Sequence, residues 1–287
     1  VSPYTWGFEL TPFLITAYFI IMMLFASWCF FKFSKDVAVG VVLFSIFIYF
    51  GLTNMPWLPL IFIYGLIGYR IAGFKLSLTI IASFMFITFT GVLPQALLSI
   101  YLCGIAVIIS FILGASLGIW AAHNDKVSAF MRPINDTMQT MPSFVILIPF
   151  VMFFGIGEFT ALLAIIAYAF VPAMRYTEHG LRNLPETVIE AARMIGCSQT
   201  QLLWKVKIPL AMPVIMLGLN QTIMFGLAML VIAALVGTTG LGQLIYIGLS
   251  KADFGTGMIS GVSIALIAII FDRTTQAWRI KLEKKTQ

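Results

Sequence analysis

Charge is what this 287-residue chain has least of. Asp, Glu, Lys and Arg make up 10% of it, against about 25% in ordinary soluble domains, too little to cover a water-facing surface. A soluble globular domain, a disordered chain and a nucleic-acid-binding fold are excluded on that ground. Cysteine is scarce as well. Cys29 and Cys103 fall inside apolar runs and Cys197 in a polar loop, which supports reduced thiols and no disulfide framework. The two histidines, His123 and His179, stand at the ends of separate apolar runs without neighbouring cysteines, a pattern for interfacial anchoring rather than metal binding. No Gly-Lys pair occurs, so the loop that cradles nucleotide phosphates is missing. A membrane enzyme would need a cluster of His, Cys or carboxylates, and none is visible.

What is present is apolar. Hydrophobic residues make up 61% of the chain, and mean hydropathy is +1.03. Stretches free of ionisable residues run over 10–31, 37–69, 76–122, 137–157, 159–174, 208–250 and 254–271. A crossing takes about 20 residues at 1.5 Å rise, so the runs of 33 and 47 residues should each fold back once. Asn54, Pro56 and Pro59 interrupt the first, and Gly91 with Pro94 the second. This predicts nine crossings, at 10–31, 37–53, 57–72, 75–91, 94–122, 143–157, 159–177, 211–236 and 257–277, with the Gly-rich stretch 237–250 as a loop or half-helix against protein. The fold class is an all-α polytopic membrane bundle.

With the N-terminus outside and the C-terminus inside, 16 of the 17 Lys and Arg residues fall on the inner side and only Lys251 outside, as the positive-inside rule demands. The basic balance follows from topology. The segment 10–31 is too long for a signal peptide and carries its basic residues, Lys32 and Lys35, after it.

No ionisable residue lies near the middle of a predicted span, whereas carriers coupled to protons or ions usually keep one there. Energy for uphill transport must then come from elsewhere. The longest polar inner segment, Arg175 to Lys207, is punctuated as two short helices. Pro185 suits a first turn, Glu186 and Glu190 the positive end of the helix dipole, and Gly196 a helix end. Ser198-Gln199-Thr200-Gln201 reads as a capping box opening the second helix, which Pro209 would stop or kink. Gly114 with Gly118, and Gly257 with Gly261, have the spacing of close helix packing within one subunit. Asp272 and Arg273 read as an inner-surface pair.

Glu190-Ala191-Ala192, three residues, Gly196, nine residues, Val206, one residue and Ile208-Pro209 resemble the EAA loop, E-A-A-x3-G-x9-I-x-L-P, of binding-protein-dependent ABC importer permeases. Val206 and Ile208 replace the pattern's Ile and Leu. Three further stretches narrow the resemblance to importers of glycine betaine, proline betaine and choline: Met138 to Phe144 with Phe154 to Gly157, Asn220 to Met224 with Val231 to Ala234, and Asp272 to Gln276. The resemblance implies a type I (MetI-like) permease core over 57–287, preceded by additional N-terminal transmembrane helices over 1–56, in a bacterial inner membrane. It implies a coupling loop at 186–209 that docks on a cytoplasmic ABC ATPase subunit, an extracytoplasmic solute-binding protein and a permease homodimer. ATP and magnesium would be bound by the ATPase, with no cofactor in this chain. A quaternary amine is the expected solute. A permease for another solute such as an amino acid, or a carrier working alone, remains as an alternative.

For the substrate pathway the candidates are Thr140, Met141, Phe144, Asn220, Gln221, Met224 and Met229. An uncompensated amide is costly in lipid, so Asn220 and Gln221 should face a cavity or another helix. The two methionines could line an adaptable apolar channel or simply fill the core.

Overall fold

The computed structural model describes Tyr4–Thr5, Phe8–Glu9 and residues 57–286, with side chains placed over 61–283. The predicted crossings 10–31 and 37–53 lie outside the described residues. The chain divides into two compact units, Val1–Ile63 and Tyr64–Gln287. In the first, Tyr4 pairs with Glu9 and Thr5 with Phe8 in a short antiparallel ladder.

The rest of the described chain is helical. Two helices of 16 residues, α1 (Trp57–Ala72) and α2 (Phe74–Phe89), are separated by Gly73 at φ +79°, a left-handed value that glycine adopts without cost. The expected crossings 57–72 and 75–91 are therefore helices of about 24 Å each, short of a 30 Å hydrocarbon layer. Then come α3 (Leu93–His123) and α4 (Asp125–Thr140), the latter opened by the Asn124 side chain accepting from the Lys126 N–H at 3.0 Å. The 12-residue α5 (Ser143–Phe154) leaves α4 at 103°. Pro142 causes the bend, because the residue before a proline is driven out of helical geometry, and Met141 is extended at ψ 134°. The predicted crossing at 143–157 is thus a short arm of a bent pair.

Among the described residues, four helices are long and apolar enough to cross a bilayer: α3, α6 (Glu158–Arg182), the 38-residue α8 (Gln199–Val236) and α10 (Phe254–Thr286), whose spanning part is Phe254–Glu283. With the bent pair counted as one span there are five. Between α6 and α8 lies α7 (Glu186–Met194), and between α8 and α10 lies α9 (Leu241–Ser250), the half-helix expected in the Gly-rich stretch.

Small residues set the helix spacing, because in lipid close packing replaces hydrophobic burial as the attraction between helices. A Cβ on Gly114 would lie 2.5 Å from the Phe170 carbonyl oxygen and 2.7 Å from the Ala173 Cβ. The α3–α6 crossing thus requires glycine there. The α6–α8 seam is equally tight at Gly218, whose Cβ would meet the Tyr176 Cβ at 2.7 Å, and Tyr168 stacks on Phe225 with ring centroids 5.0 Å apart. Gly248 of α9 backs directly onto Gly257 of α10. Gly261 meets nothing within 4 Å, so of the Gly257–Gly261 spacing expected to pack closely only Gly257 lies against another helix. The core gathers Ala106, Ala161, Ala164, Ile165, Leu227, Met229, Leu230 and Ile267 from four helices.

Candidate functional site

The site is the elbow between α6 and α8 together with the helix that continues from it. Pro185 starts α7, and its last turn closes as a Schellman motif: the Gly196 N–H donates to the Arg193 carbonyl at 2.9 Å and the Cys197 N–H to the Ala192 carbonyl at 3.2 Å. This geometry holds Gly196 at φ +87°. Two residues on, the chain turns into α8 through the capping box read from the sequence. The Gln201 N–H donates to Ser198 Oγ at 3.3 Å, and the Ser198 N–H donates to Gln201 Oε1 at 3.0 Å.

Residues Leu202–Lys207 are wound as a π-helix, and the Ile208 N–H donates to the Leu203 carbonyl five residues back. Of the stop or kink expected at Pro209, the stop does not occur. Helix winding continues from Gln199 to Val236, with the wide turn placed immediately before Pro209, where the proline cannot donate a backbone hydrogen bond.

The elbow is fixed at its root and open at its tip. Ala192 and Leu202 are buried, while Leu181, Ala211 and Ile215 form a cluster joined by Leu184 and Ile208. Glu190, Ala191 and Gly196 are exposed, Val206 and Ile208 half-buried and Pro209 exposed. Met194 is 90% exposed, Ile195 83% and Trp204 63%, among Glu186, Glu190 and Arg193. Apolar side chains so exposed beside carboxylates form the kind of patch found at protein–protein and membrane contact sites. They sit in plain view in the sequence as apolar residues inside a polar loop.

Beside the elbow, a polar clamp, buried at Ser128 and Glu178 and open to the surface at Asp125, ties three helices together. Ser128 Oγ of α4 donates to Glu178 Oε1 of α6 at 2.5 Å, and Arg182 Nε lies 3.0 Å from the same oxygen. The Arg182 guanidinium also reaches Asp125 Oδ1 at 2.8 Å and donates to the Ala121 carbonyl of α3 at 2.7 Å. Nothing local in the sequence announces this clamp, since Asp125 and Arg182 alone are 57 positions apart. A further ion pair joins Arg175 to Asp136 at 3.0 Å.

The pathway candidates are dispersed. Thr140, Met141 and Phe144 lie at the α4–α5 bend, with Thr140 and Phe144 exposed and Met141 half-buried. Gln221 and Met224 are half-buried on α8, and Met229 is fully buried in the core. Asn220 is buried against α10. Its Nδ2 donates to Asp272 Oδ1 at 2.9 Å, and its Oδ1 accepts from Thr275 Oγ1 at 2.5 Å. Asp272 accepts in addition from Gln276 Nε2 on both oxygens, at 2.7 and 2.8 Å. The expected Asp272–Arg273 pair is therefore corrected: adjacent helical residues point about 100° apart, and Asp272 faces α8.

Over residues 114–278 the chain matches the family described as the binding-protein-dependent transport system inner membrane component. It is 40% identical over 226 residues to the glycine betaine/proline betaine transport system permease protein ProW of Escherichia coli (strain K12), covering 79% of this chain and 64% of that protein. Identity to the glycine betaine transport system permease protein OpuAB of Bacillus subtilis (strain 168) is 36% over 255 residues, 89% of this chain and 90% of the relative. To the trimethylamine N-oxide transport system permease protein TmoV of Pelagibacter ubique (strain HTCC1062) it is 42% over 218 residues, 76% of this chain and 30% of the relative. The chain thus spans less than two-thirds of the Escherichia coli relative. Among solved structures, the MetNI methionine ABC transporter in inward-facing conformations superposes with a TM-score of 0.59 at 18% identity, over 67% of this chain and 95% of that one. That likeness shows a shared fold. The elbow's spacing, the helical bundle behind it and these similarities agree, and the chain belongs to the family of binding-protein-dependent transport system inner membrane components.

Proposed function

We propose that this chain is the permease subunit of an ATP-driven importer for a quaternary or methylated amine such as glycine betaine, choline or trimethylamine N-oxide. The observation that carries the proposal is the elbow: exposed Glu190, Met194, Ile195 and Trp204 on a tip whose root, Ala192 and Leu202, is buried. An ABC ATPase subunit covers that tip, with a basic group against Glu190. ATP and magnesium belong to that subunit, and this chain supplies the lever. An extracytoplasmic solute-binding protein delivers the solute at the opposite face, and two copies of the permease enclose the path. The N-terminus lies outside and the C-terminus inside, with 16 of 17 basic residues inward. The names of the relatives support the solute class.

ATP binding draws the ATPase pair together, and the elbow passes that rigid-body motion to α6 and α8. Gln221 and Met224, half-buried on α8, and Thr140, Met141 and Phe144 at the α4–α5 bend line the route. Met229 reaches it only when the core opens, whereas Asn220, with both ends of its amide taken by α10, stays off the route. In proteoliposomes holding the permease, its ATPase and its binding protein, Glu190→Ala should lower ATP-dependent uptake by about tenfold, the equivalent of about 1.4 kcal/mol lost from a docking contact around a charged pair. Gly196→Ala should lower it less, through a backbone strain of about 1 kcal/mol. Unchanged uptake in both variants would overturn the lever.

A further inference from the structure

We infer that the Asn220–Asp272 pair is the joint through which the elbow's movement reaches the last helix, making Asn220 and Asp272 positioning residues for transport. This rests on the importer reading given above. Helix winding is unbroken from Gln199 at the elbow to Val236, so displacement of the elbow displaces Asn220, about 30 Å along the same rod. Much of what holds α8 to α10 is apolar: Ile223, Leu227 and Leu230 share a core with Ile264, Ile267 and Phe271. Such contacts are non-directional, and one helix can slide on another at small cost. The polar cluster is directional. Asn220 uses both ends of its amide, on Asp272 and Thr275, and Gln276 holds the Asp272 carboxylate from its other side. Asn220 and Thr275 are buried, so breaking these bonds in place leaves polar groups without water to replace them.

The far end of α10 is held just as firmly. Gly248 and Gly257 touch backbone to backbone, and the Leu241 N–H at the start of α9 donates to Ser99 Oγ of α3 at 2.9 Å. Motion entering at Asn220 is thereby carried along α10 to α9 and α3, on the side of the bundle away from the elbow. A bundle packed on apolar faces alone would lose part of the stroke to slippage between α8 and α10.

The test is made in proteoliposomes containing the complete transporter, reading solute taken up per ATP hydrolysed. Asn220→Asp sets two carboxylates against each other, and Asn220→Ala removes the bond without adding charge. Both should lower uptake per ATP by about fivefold, as expected for a directly coupled polar pair, while nucleotide hydrolysis persists. The exchange N220D with D272N restores the bonds between the two helices in mirror image: the amide now at position 272 donates to the carboxylate at position 220, Thr275 still donates to position 220, and Gln276 keeps one of its two bonds, to the amide oxygen at position 272. That double variant should return the ratio to within about twofold of wild type. A merely structural role would reduce uptake and hydrolysis together, through less assembled protein, and leave the ratio fixed. A wild-type ratio in both single variants, or a double variant no better than Asn220→Asp, overturns the joint while wild-type uptake sustains the importer. Failure of the wild-type assembly to take up solute with ATP removes the importer, and the joint falls with it.

Discussion

Ser128 and Glu178, 50 positions apart in the chain, meet at 2.5 Å where α4 crosses α6, and both are buried. A hydroxyl donating to a carboxylate out of contact with water is worth more than a surface contact. Ser128→Ala should destabilise the protein by about 2 kcal/mol. Ser116→Ala, which removes a hydroxyl that only bonds back to its own helix at Ile112, should change stability by less than about 0.5 kcal/mol. Thermal unfolding of the two variants in the same detergent checks the difference, and equal midpoints would show that the clamp does not hold α4.

The α3–α6 contact has no room for a side chain. On Gly118, a Cβ would lie 2.6 Å from the Met174 carbonyl oxygen, and backbone cannot move aside as a flexible side chain can. Gly118→Val should cost about 3 kcal/mol or prevent assembly. Gly104, on the same helix, is the internal control, because a Cβ there would meet nothing within 4 Å. Gly104→Ala should gain roughly 0.5 kcal/mol from helix propensity within the protomer. Yield and melting temperature measured side by side decide this.

The capping box at the start of α8 sets the angle between the elbow and the rod. Ser198→Ala removes the acceptor of the Gln201 N–H and should cost about 1 kcal/mol of local stability. Hydrogen exchange at the Gln201 amide would then quicken by roughly fivefold, with exchange in the core of α6 unchanged. Uniform quickening through the bundle would mean that the cap supports the whole fold.

At the α9–α10 turn, the hydroxyl and N–H of Thr256 donate to Asp253 and hold its carboxyl below the usual value of 3.8. A lowered native pKa adds stability above the unfolded value, and that contribution is lost as pH falls through the native one. Thr256→Val removes the larger cause, so the Asp253 titration should move up toward 3.8. Carboxyl carbon NMR shifts followed through acid pH would show it, and an unmoved titration would mean that the hydroxyl is not the cause.

Local features are legible in the sequence because local geometry decides them. The Schellman glycine at 196, the Ser198–Gln201 box, the half-helix in 237–250 and the Gly114–Gly118 spacing all depend on residues within a turn or two. Hydropathy locates the long helices but not their angles: a 12-residue apolar arm after Pro142 and a full span read alike. Pairings across the bundle are out of its reach. Adjacency in the chain suggests Arg273 as the partner of Asp272, whereas the packing of α8 on α10 supplies Asn220, 52 positions away. The π-helical turn at Leu202–Lys207 leaves no mark beyond the prolines that follow it.

That wide turn gives the elbow a tolerance the rest of α8 lacks. Five-residue hydrogen-bond spacing takes up one surplus residue. Shortening the chain by one position within 203–206 would tighten it to ordinary winding and leave Glu190 aimed much as before. The same deletion anywhere beyond Pro213 would swing everything upstream by about 100° and carry Glu190 off its present heading.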